Sequence, residues 1–553
     1  MPADPPLGTP RHVRRAGRVG RSAVHAANGM VATSQPLAVQ AGIDVLRRGG
    51  NAIDAAIAAN AVLGVVEPMS CGIGGDLFVI VWEARTGKIH GLNASGRSPG
   101  RARLEDMRAR GLTELPEAGP LSWSVPGAVD GWEALRSRFG TRPLSELLEP
   151  AVAIAEDGFP VSGVIADAWQ ACAAELAPYP DSARTFLPGG RAPRAGEIFR
   201  NPELAATYRE LGRGGPDAFY RGRIARELLA FSEESGGLLA PDDLAETAAS
   251  WVEPVGSDYR QVRVWELPPP GQGITVLEIL NILEGYDLRS SGPLSPDFWH
   301  LFVEAKKLAY ADRARFLGDP EKVRVPIDRL ISKAYAAERR KLVDPSRART
   351  GLPAGDPLRG DTIYLSAVDA QRNCVSLIQS IFKPFGSRMV PGRLGFALQN
   401  RGSQFSLDPA HPNRLEPRKR PFHTMIPALA TRGGRPWLVF GVMGADMQPQ
   451  GQVQVLVNLL DFGMDVQAAG EAPRIEHLGS PTPTGRPEAQ GGGVLSVERG
   501  IPEEVFAELV SRGHQAVWTD RNGGGYQAIL IDPATRALQG GSEPRSDGCA
   551  AGY

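Results

Sequence analysis

The residue with the clearest chemical setting is Thr362, in Gly360-Asp361-Thr362-Ile363-Tyr364-Leu365-Ser366. A polar stretch with Pro and Gly (residues 344–361) ends in a small–acidic pair, and a hydroxyl residue then opens an apolar run. In that position the hydroxyl can attack the carbonyl before it and cut its own chain. The α-amine so released has an ordinary pKa of ~7.7–8.0. It can serve as base for the hydroxyl of the same residue, the Thr/N-terminal-amine form of an activated nucleophile. A lone threonine at a strand start is ordinarily structural, so the junction carries this reading. Other chemistries lack their residues. There is no G-x-S-x-G elbow, no H-E-x-x-H, no Walker motif and no strand followed by G-x-G-x-x-G. The eight histidines show no metal-ligand spacing, so the reaction is expected to need neither metal nor cofactor.

The elements that must hold Thr362 follow from pattern. Residues 363–368 and 374–381 are expected strands joined by a turn, with further strands at 437–442 and 526–531. Helices are expected near 453–462 and 502–512. Upstream, Ser34 is expected to cap a helix over 37–48 that has Pro36 in its first turn and stops at Gly49-Gly50. An Ala-rich helix over 54–65 follows. Cys71-Gly72-Ile73-Gly74-Gly75-Asp76 reads as a glycine-rich turn, leading into strands at 77–82 and 89–94. Residues 130–235 and 296–345 are helical in pattern, most plainly at 304–316.

Bulk properties narrow the function. A chain of 553 residues, 42% hydrophobic, can bury a large core. Its 61 basic and 62 acidic residues nearly cancel, so nothing in the balance points to a nucleic-acid partner, which usually leaves a basic domain or stripe. The basic cluster at residues 11–21 reads as part of a loose tail over 1–24. Cys71, Cys172, Cys374 and Cys549 form no C-x-x-C pair and are expected to be buried, inert thiols of a reducing compartment. No run approaches the ~18 apolar residues of a membrane span, and no signal peptide is apparent. A cytoplasmic protein without a membrane partner is expected.

The string GDTIYLSAVD resembles the junction of γ-glutamyltransferases and their acylase-like relatives. Ordered matches extend along the chain: GMVATSQPLAVQAGIDVLRRGGNAIDAAIAAN, EPMSCGIGGDLF, SVPGAVDGW, ELPPPGQG, EAKKLAYADR, KRPFHTMIPALA, GVMGADMQPQGQ and the tail DGCAAGY. The resemblance covers residue 25 to the end. It implies an α+β fold, the αββα sandwich of N-terminal nucleophile hydrolases. It also implies cleavage between Asp361 and Thr362 into parts 25–361 and 362–553 that stay associated as one intertwined fold. A small-molecule amide is the expected substrate, and a homodimer is left open. Ser380 matches a family Thr that contacts the nucleophile. Gly444 and Ala445 match the Gly-Gly whose amides form the oxyanion hole. Asn400 matches an Asn near the nucleophile.

Residues that read a γ-glutamyl group depart from the family. Ser95 stands for an Arg, Phe382 for an Asn, Arg401 for a Gln or Glu, Gln404 for an Asp, and His423 with Thr424 for two Ser. An ammonium beside Arg401, with no Asp at 404, would be repelled. Arg97, two residues past Ser95, is expected to reach a carboxylate from a shifted register. The segment between Gln404 and Lys419 is short for a lid, which favours water as acceptor. These changes point to an amide hydrolase for an acyl group without a free α-amine. The alternatives are a true γ-glutamyl transferase or glutathione hydrolase, a biosynthetic C–C-cleaving homologue, and an inactive binding homologue. Ala445 keeps the last alive, since an alanine in the oxyanion turn is tolerable if its φ is negative and in doubt if φ must be positive.

Overall fold

The run after Thr362 is apolar on both faces, so it needs cover on both sides. In the computed structural model, which describes residues 20–349, 361–520 and 522–553, it has both. Ile363, Leu365 and Ala367 pack with the residues of a helical layer, including the Ala-rich helix Ala52–Val66, which is buried along its whole length. Tyr364 and Val368 turn the other way and pack with Phe78, Ile378, Leu429 and Val439 between two sheets. The two-residue period of a strand makes this division.

Each sheet has seven strands. One runs, in spatial order, Cys549–Gly552, Met30–Thr33, Asp361–Val368, Cys374–Phe382, Asp76–Glu83, Lys88–Ala94, Ser250–Val252, all neighbours antiparallel. The other runs Val24–Ala26, Leu538–Ser542, Tyr526–Ile531, Arg435–Val442, Ala428–Arg432, Val262–Glu266, Val255–Tyr259, also antiparallel. Helices Gly273–Leu283, Pro296–Phe316 and Met447–Leu460 cover its outer face. The layers are helix, sheet, sheet, helix, the αββα sandwich implied by the sequence.

Several local expectations change. Ser34 is no cap: its hydroxyl donates to Glu67 Oε2 at 2.5 Å, and Gln35 takes the N-cap position before Pro36–Arg47. The Ala-rich helix begins earlier than expected, because the Asn51 side chain accepts from Asp54 N while Asp54 accepts from Asn51 N. Strands Met30–Thr33 and Cys549–Gly552 were not anticipated. Residues 1–19, with most of the basic cluster, lie outside the described residues. Arg21, assigned to the loose tail, instead bonds Gly548 O at 2.6 Å, and Val24–Ala26 is an edge strand. Cys71 and Cys374 are buried as expected, but Cys172 and Cys549 are only half-buried. Residues 350–360 of the junction also lie outside the described residues; of 344–349 only Ala348 is buried. Among the described residues, no helix is long and apolar enough to cross a membrane.

Candidate active site

Three strand ends converge. Ser380 lies opposite Asp76 in the ladder between Cys374–Phe382 and Asp76–Glu83. Asp361 lies opposite Phe382, but Ile363 lies opposite Gln379, so the ladder slips at Thr362. Such irregularities re-aim a side chain. Here Thr362 Oγ1 donates to Ser380 Oγ at 3.3 Å, and both residues are buried. Ser380 Oγ also accepts from Phe382 N at 2.7 Å. Phe382 has a φ of +78°, costly for a residue with a Cβ, and the bond to Ser380 helps to hold it there. Phe382 in turn supports Arg401, whose guanidinium lies over its ring at 4.4 Å.

Arg401 sits in the 3₁₀ turn Arg401–Gln404 and is fully buried. Its Nη1 donates to Thr424 Oγ1 at 3.0 Å, while Nε and Nη2 have no hydrogen-bond partner among the described residues. Burial pulls its pKa down to about 9, against the nearby Asp76 charge. Asp76 is equally buried, and desolvation raises its pKa to about 7 despite bonds from Gly96 N at 2.8 Å and Gln399 Nε2 at 2.9 Å. Its second oxygen, Oδ2, faces His423 Nε2 at 3.5 Å. Burial, with Arg401 and Arg420 nearby, holds His423 well below the usual histidine range, so its ring is neutral.

The Gly444-Ala445 turn precedes helix Met447–Leu460. Gly444 has φ +112° and Ala445 has φ +48°. The left-handed backbone of a Gly-Gly turn is thus present with an alanine in it, contrary to the negative φ that would make alanine innocuous. Gln272 fixes the turn: its Nε2 donates to Ala445 O at 3.0 Å and to Thr424 O at 2.8 Å. Arg313 completes the support, bonding Gln272 Oε1 and Asp446 Oδ1, each at 2.6 Å. A continuous path of contacts therefore runs from Thr362 through Ser380, Phe382, Arg401, Thr424 and Gln272 to Ala445.

Other expected site residues stand apart from this path. Arg97 is committed to Glu321, with Nη2 at 2.8 and 2.9 Å from the two carboxylate oxygens, and to Arg418 O at 3.1 Å. It lines a surface cavity of about 290 Å³ with Ser95, Arg418 and Arg420, where its guanidinium is paired with Glu321. Ser95 donates to Asn93 Oδ1 at 2.6 Å. Asn400 is used structurally, accepting from Lys383 N at 3.1 Å and donating to Glu117 O at 2.6 Å. Gln404 is buried, and its carbonyl accepts from Asn413 Nδ2 at 2.6 Å. The sequence reading missed Asp76, Gln272 and Arg313. It also missed a buried group, His300, Glu304 and His514, whose candidate ligand atoms lie within 4.8 Å of one another. That group is internally satisfied: the two rings bond each other at 2.9 Å and Lys307 pairs with Glu304.

Residues 38–553 match the family model described as Gamma-glutamyltranspeptidase. The chain belongs to the γ-glutamyltranspeptidase family. A glutathione hydrolase-like proenzyme (YwrD) of Bacillus subtilis (strain 168) is 38% identical over 528 residues, 95% of this chain and 98% of that protein. An acylase (ACY 1) proenzyme of Pseudomonas sp. (strain SE83) is 37% identical over 540 residues, 94% of this chain and 92% of that protein. The solved cephalosporin acylase of Bacillus halodurans superposes with a TM-score of 0.88 at 42% identity, covering 99% of both chains. This γ-glutamyltranspeptidase-family member is a self-processing amidohydrolase with the N-terminal nucleophile hydrolase fold.

Proposed function

We propose that the chain cuts itself between Asp361 and Thr362, and that the new N-terminal Thr362 hydrolyses the amide of an acyl group bearing a carboxylate and no α-ammonium. Thr362 Oγ1 attacks the amide carbonyl and its own α-amine takes the proton. The Gly444-Ala445 turn supplies backbone amides to the developing oxyanion, a contribution of a few kcal/mol in a dry site. Ser380 orients the nucleophile through the 3.3 Å bond. The acyl-enzyme is released by water, a reading supported by similarity to proteins named acylases and by a short segment after Gln404 that is pinned by Asn413.

The observation that carries the acyl preference is Arg401. A fully buried guanidinium with Nε and Nη2 uncommitted presents two donors, the pattern that grips a carboxylate. A buried α-ammonium beside it would meet a like charge. The test compares glutaryl-p-nitroanilide with γ-glutamyl-p-nitroanilide, which differ by that amine, on protein whose processing is followed by mass spectrometry. A fragment beginning Thr362-Ile363-Tyr364 and a higher kcat/KM for the glutaryl compound are expected. An intact, fully active chain refutes the nucleophile; a γ-glutamyl preference refutes the pocket.

A further inference from the structure

Asp76 belongs to none of the roles assigned so far, yet it occupies the middle of the site. It is 0% exposed, lies opposite Ser380 in the sheet, and shares its surroundings with Arg401 and His423, each also 0% exposed. Five polar atoms of these three side chains have no hydrogen-bond partner among the described residues: Asp76 Oδ2, Arg401 Nε and Nη2, and His423 Nδ1 and Nε2. Buried polar atoms are nearly always bonded, and unbonded ones call for a functional account. Resting on the acyl preference above, we propose that the Asp76–His423 pair is a proton-coupled specificity element, which takes up one proton when a carboxylate-bearing acyl group binds at Arg401.

Charge balance supplies the argument. Arg401 and Asp76 alone form one positive and one negative group in a space without water contact. A substrate carboxylate bound to Arg401 adds a second negative charge beside Asp76. Two carboxylates that share one site cannot both stay ionised, and one takes a proton. Across the 3.5 Å between Asp76 Oδ2 and His423 Nε2, a protonated Asp76 carboxyl can donate to a ring nitrogen of neutral His423, so the added proton has a place. The reaction is protein plus carboxylate plus one proton giving a neutral cluster, with no other species consumed. The charged or titratable groups around the pair are few. Arg401 comes from the 3₁₀ turn. Arg420 comes from the segment before Ala428–Arg432, where it is held by Glu321 and by Ser250 Oγ at 2.9 Å. Tyr220 comes from the large helical layer, with its phenol raised far above the range in question. None of these changes charge near neutrality, and Asp76, raised to about 7 by burial, does.

The sign follows. Binding an anion raises the Asp76 pKa further, so affinity is full below pH 7 and falls as pH rises above it, by tenfold per unit. Arg401, at about 9, sets the upper limit of the usable window. The test is calorimetric titration of the processed enzyme with glutarate at pH 6.0, 7.5 and 8.5, in buffers that differ in ionisation enthalpy. Expected are uptake approaching one proton per site at the higher pH, and a roughly eightfold loss of affinity between pH 7.5 and 8.5. Asp76→Asn should bind glutarate with no proton uptake and a flat pH response. Glutarate binding by the unaltered enzyme without proton uptake overturns the coupling and leaves the carboxylate reading standing. Absence of glutarate binding at every pH overturns both. Because the first arm uses the unaltered protein, the result stands even if Asp76→Asn fails to fold.

Discussion

Ser380→Ala removes one hydroxyl that bonds Thr362 and Phe382 among the described residues, and the geometry of those bonds separates the consequences. The bond from Thr362 Oγ1 is long at 3.3 Å. Its loss belongs at the low end for a hydrogen bond, ~0.5–1 kcal/mol, or roughly 2- to 5-fold in kcat/KM. The bond from Phe382 N is short at 2.7 Å, and nothing in an alanine replaces it. A buried amide left without an acceptor costs ~1–3 kcal/mol of stability. This amide belongs to a residue at φ +78°, whose ring lies under Arg401, so relaxation of Phe382 displaces the acyl contact as well. A misplacement of ~1 Å can cost ~10²-fold. The expected result is a processed variant with a lowered melting temperature and a kcat/KM reduced about 5- to 100-fold on glutaryl-p-nitroanilide. Ser380→Thr, which keeps the oxygen, should recover most of both. Rates are normalised to the processed fraction by mass spectrometry. A processed Ser380→Ala with wild-type kcat/KM and melting temperature would refute the reasoning.

Three further predictions follow from the same geometry. Ala445→Gly relieves a Cβ held at φ +48°, a strain of ~1–2 kcal/mol, partly offset by ~0.4–1 kcal/mol of added chain freedom in the unfolded state; the midpoint in urea should rise slightly with turnover retained, and a clear destabilisation would contradict the strained turn. Asp76→Asn should stabilise the protein more at pH 8 than at pH 5. The carboxyl holds its proton to about 7 when folded but loses it near 3.8 when unfolded, so the penalty for its charge grows as pH rises between those values and then levels off; an equal shift in melting temperature at both pH values would count against it. Arg97→Ala should leave the KM for glutaryl-p-nitroanilide within about twofold, because its guanidinium is occupied by Glu321; a large rise in KM would return Arg97 to the acyl pocket.

What could be read beforehand was local. Strand 526–531 coincides with Tyr526–Ile531, and 363–368 lies within Asp361–Val368, because apolar runs bounded by polar turns leave little choice. Asp76 was read only as the end of a glycine-rich turn. Its importance arises from a sheet pairing that sets residue 76 opposite 380, and from packing that brings Arg401 and His423 beside it. No window of sequence contains those contacts. Gln272 and Arg313 were hidden in the same way, since they act on a turn more than a hundred residues downstream. Ser34 misled because cap and buried hydrogen-bond donor share one side chain, and Glu67 is invisible from residue 34. The pairing of Arg97 with Glu321 was hidden for the same reason, since the two are equally remote.

The strand that begins at Asp361 is third of seven, with Met30–Thr33 on one side and Cys374–Phe382 on the other. A free amine in the interior of such a sheet cannot be threaded into place. It can be created only after the sheet exists, by cutting a chain that has already folded. The proposed scission at Thr362 would impose an order of events: the ladder forms while the polypeptide is still continuous, and the nucleophile is released last. A misfolded copy, lacking the ladder, would have no means of arming itself. The strand Met30–Thr33, held between two strands from beyond the proposed cut, would then work as a rivet that keeps the two products together without any covalent link.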